Sequence, residues 1–111
     1  MLPGRVNQLQ FVASIAEREL LRYTPAGIPI VSAKLQHASK QTEARVERQV
    51  EFEISAIAAG EISGRFDQAR LGAMFHFTGF LARKNRNSKS LVFHIIDFEP
   101  TSDTGASNGI R

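Results

Sequence analysis

Residues 49–56 have the sequence Gln-Val-Glu-Phe-Glu-Ile-Ser-Ala, in which polar and apolar side chains alternate without a break. An extended chain would carry the apolar members on one face and the polar members on the other: Val50, Phe52, Ile54 and Ala56 against Gln49, Glu51, Glu53 and Ser55. Because successive side chains of a strand point to opposite faces, this stretch predicts a half-buried β-strand over residues 46–57.

Four other stretches, residues 8–15, 28–37, 74–82 and 91–98, alternate in the same way. Between the third and fourth predicted strands, Ile62, Phe66 and Ala69 fall at helical spacing, which predicts a short helix or compact loop. Five short antiparallel strands with an insertion between strands 3 and 4 are typical of a small Greek-key barrel, of which the OB-fold is the commonest member. We therefore predict an all-β, five-stranded OB-fold.

The composition fits one globular domain, since 42% of the 111 residues are hydrophobic and 23% are charged. We assign residues 1–99 to this domain and expect residues 100–111, which are small and polar, to form a disordered tail. The first residues lack the apolar region of a signal peptide, and the longest apolar run, residues 56–59, is too short to span a bilayer. We expect a soluble, cytoplasmic protein.

The sequence offers little for catalysis. The chain has no cysteine, which excludes disulfides and thiolate chemistry. His37, His76 and His94 lie on three different predicted strands without a nucleophile or metal-ligand motif, so we expect them to be partly exposed strand residues. No glycine-rich stretch has the spacing of a phosphate-binding loop. We predict no enzymatic activity, no metal and no cofactor.

The loop at residues 83–89 is strongly basic. It carries four cations and no carboxylate: Arg83, Lys84, Arg86 and Lys89. Long cationic side chains on a hairpin can follow a phosphate backbone, and loops beside an OB sheet bind oligonucleotides. A hairpin tip that merely improves solubility explains the same residues. The net charge of +3 permits a polyanionic partner without requiring one.

A second basic group in the first loop consists of Arg18 and Arg22, followed by Tyr23. As the only tyrosine of the chain, Tyr23 can either stack on a base or pack against Pro25 and the barrel mouth. Phe80 and Phe93 can likewise either stack on a base as exposed side chains or fill the core.

Carboxylates on the exposed face of the predicted sheet argue against tight binding of nucleic acid at the centre of that face. If the second and third strands pair about a turn at residues 41–44, Lys34 lies opposite Glu51, and a cross-strand ion pair explains both residues. Glu47 and Glu53 share the face of Glu51 and would repel phosphate, which the nearby cations Lys40, Arg45 and Arg48 offset only in part. Nucleic acid would then be held by the rims of the barrel.

With this pattern assembled, the chain resembles the PriB family, the primosomal replication protein N group related to bacterial single-stranded DNA-binding protein. The resemblance extends from Val6 to Glu99. It rests on an ordered set of short segments: Thr24-Pro25-Ala26-Gly27-Ile28-Pro29, Leu35-Gln36-His37, Arg48-Gln49, Ser88-Lys89 and Val92-Phe93-His94.

The resemblance implies a homodimeric OB-fold that binds single-stranded DNA and bridges the PriA helicase and DnaT during replication restart. The basic contacts of the family correspond to Arg22, Lys84, Arg86 and Lys89, with a length difference in the hairpin. Two features depart from the family pattern. Glu51 stands where the family can place a stacking tryptophan, with Val46 at the neighbouring aromatic position, and Ala38 stands at a cationic position. These differences predict weaker binding to a single strand.

Three hypotheses about function follow. The leading one is a non-catalytic single-stranded DNA-binding adaptor of the replication-restart primosome. The candidate nucleic-acid contacts are Arg22, Tyr23, Lys34, Arg48, Arg83, Lys84, Arg86 and Lys89. The alternatives are a protein–protein adaptor with weak or vestigial nucleic-acid binding, and an RNA-binding OB domain.

Overall fold

The computed structural model describes residues 4–101. These residues form six strands and one helix in the order β1 (Leu9–Arg18), β2 (Arg22–Tyr23), β3 (Pro29–Glu43), β4 (Val46–Ala59), α1 (Ile62–Gln68), β5 (Met74–Arg83) and β6 (Leu91–Pro100). The five long strands and the short helix are the elements predicted from the sequence. The two-residue strand β2 was not predicted, because two residues are too few to show an alternation.

The five long strands close into a barrel. The strand order β1-β5-β6-β4-β3 returns to its start because β1 also pairs with β3. The predicted five-stranded OB barrel is therefore confirmed. One pairing differs from the prediction of antiparallel strands throughout: β4 and β6 run parallel, with Ala56 beside Phe93 and Ile57 beside His94.

The core consists of the apolar residues that the alternation assigned to one face of each strand. Ala13 and Ile15 of β1 and Val31 and Leu35 of β3 are completely buried. Phe66 projects from α1 into this core, is itself fully buried, and meets the rings of Phe77 and Phe98 edge-on. Burial of such side chains is the main force that holds a barrel of this kind together.

Three aromatic side chains differ from their predicted environments. Phe93 is completely buried, which excludes it as an exposed stacking platform. His37 is buried rather than partly exposed; its Nδ1 lies 2.6 Å from the carbonyl oxygen of Val12. Phe52 was expected in the core but is 37% exposed and stacks on His37, with 4.7 Å between ring centroids.

The register between β3 and β4 corrects the predicted pairing of Lys34 with Glu51. The strands join through a two-residue turn at Ala44 and Arg45, both with positive φ, instead of a turn at residues 41–44. Lys34 therefore lies opposite Ser55, and Glu51 lies opposite Ala38. The predicted ion pair is wrong because the true turn shifts the partner of Lys34 by four residues.

The end of the ordered domain lies slightly later than predicted. Pro100 belongs to β6 and pairs with Phe75, although the sequence placed it at the start of the tail. The rest of the predicted tail, residues 102–111, lies outside the described residues, as do residues 1–3 at the start of the predicted domain.

Candidate nucleic-acid interface

A groove of about 570 Å³ lies on the outer face of the barrel, where β3, β4 and β6 are neighbours. Alternate residues of these strands, whose neighbours in sequence point into the core, form its floor. The floor residues are Ser32, Lys34, Ser55, Ile57, Val92 and His94. The groove is bordered by the end of β1 and the following loop, and by both ends of the β5–β6 hairpin at Lys84–Asn85 and Ser90–Leu91.

Three cations at this groove are placed to meet an anion. The Lys34 ammonium donates a hydrogen bond to Ser55 Oγ at 3.2 Å, and Arg22 Nη1 donates to Ser32 Oγ at 3.0 Å. Arg22 also lies 3.8 Å from the carboxylate of Glu19. Lys84 is exposed and forms no ion pair within residues 4–101. Exposed pairs of this type are weak, so the cations can exchange their present partners for phosphate oxygens.

Arg18 also lines the groove, but its guanidinium has a structural role. Nη1 donates to the carbonyl oxygens of Phe66 and Ala69 at the end of α1, where a helix leaves its last carbonyls without internal partners. The carboxylates of Glu17 and Glu19 line the same border and reduce the positive charge there. Positive charge available for a ligand is therefore concentrated on Arg22, Lys34 and Lys84.

His94 forms part of the groove floor and is half-buried. Burial lowers the pKa of His94 below its usual value of 6.5, so the ring is predominantly neutral at pH 7. Its imidazole stacks on Phe80, with 4.8 Å between the ring centroids and 4° between the planes. His94 thus presents a flat, uncharged surface among cations.

The predicted contact residues divide into two groups. Arg22, Lys34 and Lys84 come together at the groove, as described. The remaining five do not line it: Tyr23, Arg48, Arg83, Arg86 and Lys89. Of these, the last three are exposed at the base and tip of the β5–β6 hairpin, adjacent to Lys84.

Arg48 and Tyr23 lie away from the groove. Arg48 is near the tip of the β3–β4 hairpin, where its guanidinium pairs with the carboxylate of Glu43. By strand alternation it occupies the face opposite to that of Glu51. Tyr23 is 68% exposed on β2.

The three exposed glutamates of β4 lie outside the groove. Glu47, Glu51 and Glu53 do share one face by alternation, as predicted, but the groove is lined by Ser55 and Ile57 further along the strand. These glutamates therefore repel phosphate at the projecting part of the β3–β4 hairpin. The described residues that form the floor of the groove include no glutamate.

The sequence did not identify five floor residues as a site: Ser32, Ser55, Ile57, Val92 and His94. Their alternation with buried residues indicates that they face outward. Only the strand register brings Ser32 beside Ile57 and Ile57 beside His94. The second of these contacts belongs to a parallel pairing that no local pattern reveals.

Residues 4–101 contain no group of three or more histidine, cysteine, aspartate or glutamate side chains arranged to hold a metal ion. No helix in this part of the chain is long and apolar enough to cross a membrane.

Known proteins resemble this chain both in sequence and in the barrel fold. Residues 7–97 match the model of a protein family described as "another single-strand binding protein family". The replication restart protein PriB of Nitrosomonas europaea is 42% identical over 91 residues, which cover 82% of this chain and 84% of that protein.

Solved structures give the same result. PriB from Ralstonia solanacearum superposes with a TM-score of 0.80 at 46% identity, covering 86% of this chain and 98% of that one. The single-stranded DNA-binding protein of Thermus aquaticus gives a TM-score of 0.69 at 22% identity, covering 90% of this chain and 52% of that one, a likeness of fold alone. The chain therefore belongs to the PriB family of replication restart proteins, within the wider single-strand binding protein family.

Proposed function

We propose that this protein is a non-catalytic adaptor of replication restart that holds single-stranded DNA in the outer groove of its barrel. The observation that carries the proposal is the convergence of Arg22, Lys34 and Lys84 on one groove whose floor is otherwise uncharged. Arg83, Arg86 and Lys89 on the adjoining hairpin add to the attraction for phosphate.

The chemistry of the groove suits binding without strong sequence preference. The cations contact the phosphate backbone, which every sequence shares. Hydroxyl groups of Ser32 and Ser55 and apolar surface from Ile57 and Val92 meet the sugars and bases. Because His94 is the one aromatic side chain among the described residues that line the groove, we expect weaker binding than on a platform with several aromatic residues.

The adaptor part of the proposal rests on membership of the PriB family. We propose that the protein acts as a homodimer and bridges the PriA helicase and DnaT. A free strand edge is consistent with a dimer: within the described chain, β1 pairs with β3 only from Ser14 onward, so one side of Leu9–Ala13 has no strand partner. Pairing of two such edges would cover both.

The test is fluorescence anisotropy of a labelled oligo-dT of about thirty nucleotides, titrated at several salt concentrations with a duplex of equal length as the control. If about four phosphates are neutralised, the slope of log K against log salt should be near −3. The variant Lys34→Gln/Lys84→Gln should bind more weakly and with a shallower slope. The matched control Lys40→Gln, on the β3–β4 hairpin outside the groove, should bind as the wild type does.

Two other outcomes would identify the alternatives. Tighter binding to oligo-U than to oligo-dT would favour an RNA-binding domain. Absence of binding even at low salt, together with binding to purified PriA, would favour a protein–protein adaptor. The row of Glu47, Glu51 and Glu53 is the feature that supports this second candidate, because exposed carboxylates can meet a basic partner surface.

A further inference from the structure

The stacked pair of Phe80 and His94 separates the groove from a second cavity. His94 lines the groove, whereas Phe80 lines a cleft of about 430 Å³ beside the N-terminal arm, residues 5–8. The ring centroids are 4.8 Å apart, which is also the usual spacing of neighbouring strands. Phe80 of β5 and His94 of β6 are cross-strand partners, and Phe80 is half-buried where it lines the cleft.

The far side of the cleft is formed by an arm held at a fixed position. Asn7 Nδ2 donates to the carbonyl oxygen of Leu81 at 2.8 Å, and the Leu81 amide donates to Asn7 Oδ1 at 3.1 Å. These paired hydrogen bonds attach the arm to β5. The cleft thus has one wall on the arm and one on the outer face of β5 and β6, with Arg5, Gln8, Thr78 and Ile96 among its other lining residues.

The chemistry of this cleft matches that of a nucleotide. It combines a flat aromatic face, Phe80, with one cation, Arg5, which forms no ion pair with any described residue. Among residues 4–101, no carboxylate lines it. The nearest acidic residue in sequence, Asp97, is bound by Arg65, with 2.8 Å between Oδ1 and Nη2. Every base has a π face, and stacking on an aromatic side chain binds it without sequence preference.

We propose that the cleft is a further subsite for single-stranded nucleic acid, in which one base stacks on the free face of Phe80 and Arg5 contacts a phosphate. The strand would cross the outer face of the barrel from the groove, over the row Ile57, His94 and Phe80, to the arm. His94 acts here as a positioning residue, because its ring supports Phe80 from the opposite side. The inference rests on the proposed function and assigns a second part of the same binding path.

The experiment compares oligo-dT with an abasic oligonucleotide of equal length, which keeps the phosphates but offers no base to stack. Phe80→Leu should weaken oligo-dT binding about tenfold and leave the affinity for the abasic strand unchanged. The matched control is Phe52→Leu. It removes the phenylalanine of another stacked Phe–His pair, but one that lies outside both cavities, and should leave both affinities unchanged.

A second variant covers the case in which Phe80→Leu fails to fold. Phe80→Tyr retains the ring, and in a Tyr23→Phe background position 80 carries the only tyrosine of the chain. Its fluorescence should be quenched by oligo-dT and not by the abasic strand. Unchanged fluorescence, or an equal loss of affinity for both strands in Phe80→Leu, would overturn the proposed subsite while leaving the function in place. If the wild type binds no single strand, the proposed function fails and the subsite fails with it.

Discussion

At the scale of single residues, His94 is the group through which pH can act on the groove. Its pKa is lowered by burial, so the folded protein favours the neutral ring. Just below pH 6.5, the unfolded chain therefore binds more protons than the folded chain. Because protons favour the unfolded chain in this range, the contribution of His94 to the free energy of unfolding is lost as the pH falls from 6.5 toward the lowered pKa. Charged groups around the groove are Glu17, Arg18, Glu19, Arg22, Lys34 and Lys84.

We predict that single-strand affinity increases as the pH is lowered below about 6.5. A protonated His94 adds a cation at the groove floor, and bound phosphate favours that protonated form. His94→Gln should abolish most of this dependence in anisotropy titrations between pH 7.5 and 5.5. His76→Gln, on β5 outside the groove, serves as the control and should keep it; the opposite result would assign the effect to His76.

The sequence correctly predicted which face of a strand a side chain occupies, but it did not predict which residue lies opposite on the neighbouring strand. The alternation of Val31, Ala33 and Leu35 correctly identified the buried side of β3. The partner of Lys34 depended on the position of the turn, and Ala44–Arg45 lacks the glycine or asparagine that usually marks a two-residue hairpin. Without that signal, alternation fixes which face a side chain occupies but not which residue lies opposite.

At the scale of elements, the pairing of β5 with β6 shapes both cavities. The register of these strands shifts between Thr78 and Gly79, and after the shift Phe80 lies beside His94. Gly79 permits this close approach: a Cβ atom at this position would lie 2.0 Å from the carbonyl oxygen of His94 and 2.8 Å from Phe93 Cζ. The stacked rings therefore depend on a glycine that is buried in the strand.

We predict that Gly79→Ala destabilises the protein by about 3 kcal/mol, the upper end of the usual range for overpacking, because the added methyl group meets backbone on the paired strand. Urea unfolding followed by circular dichroism measures this change. Gly64→Ala is the matched control, since it lies in α1 and the added carbon meets no atom within 4 Å beyond its chain neighbours and the helix backbone; it should be neutral or stabilising. Equal stabilities of the two variants would show that β5 and β6 can separate without cost.

At the scale of the whole molecule, the carboxylates on one face of β4 lie apart from the cations of the groove. The groove and the β5–β6 hairpin carry the cations that face a ligand, whereas the projecting β3–β4 hairpin carries Glu47, Glu51 and Glu53 on one face. The overall excess of three positive charges does not reveal this separation. It emerges only when the strands are paired, which is why the sequence predicted the fold and the family more completely than the binding surface.

Binding in the outer groove can be tested by titrating the ¹⁵N-labelled protein with a short oligo-dT and following the amide chemical shifts. We predict that the largest changes occur at groove residues and at the β5–β6 hairpin, including Ser32, Ser55, Ile57, Lys84 and His94, and that the β3–β4 hairpin around Glu47 and Glu51 changes little. Changes concentrated on the β3–β4 hairpin, with the groove unaffected, would show that single-stranded DNA does not bind in the outer groove.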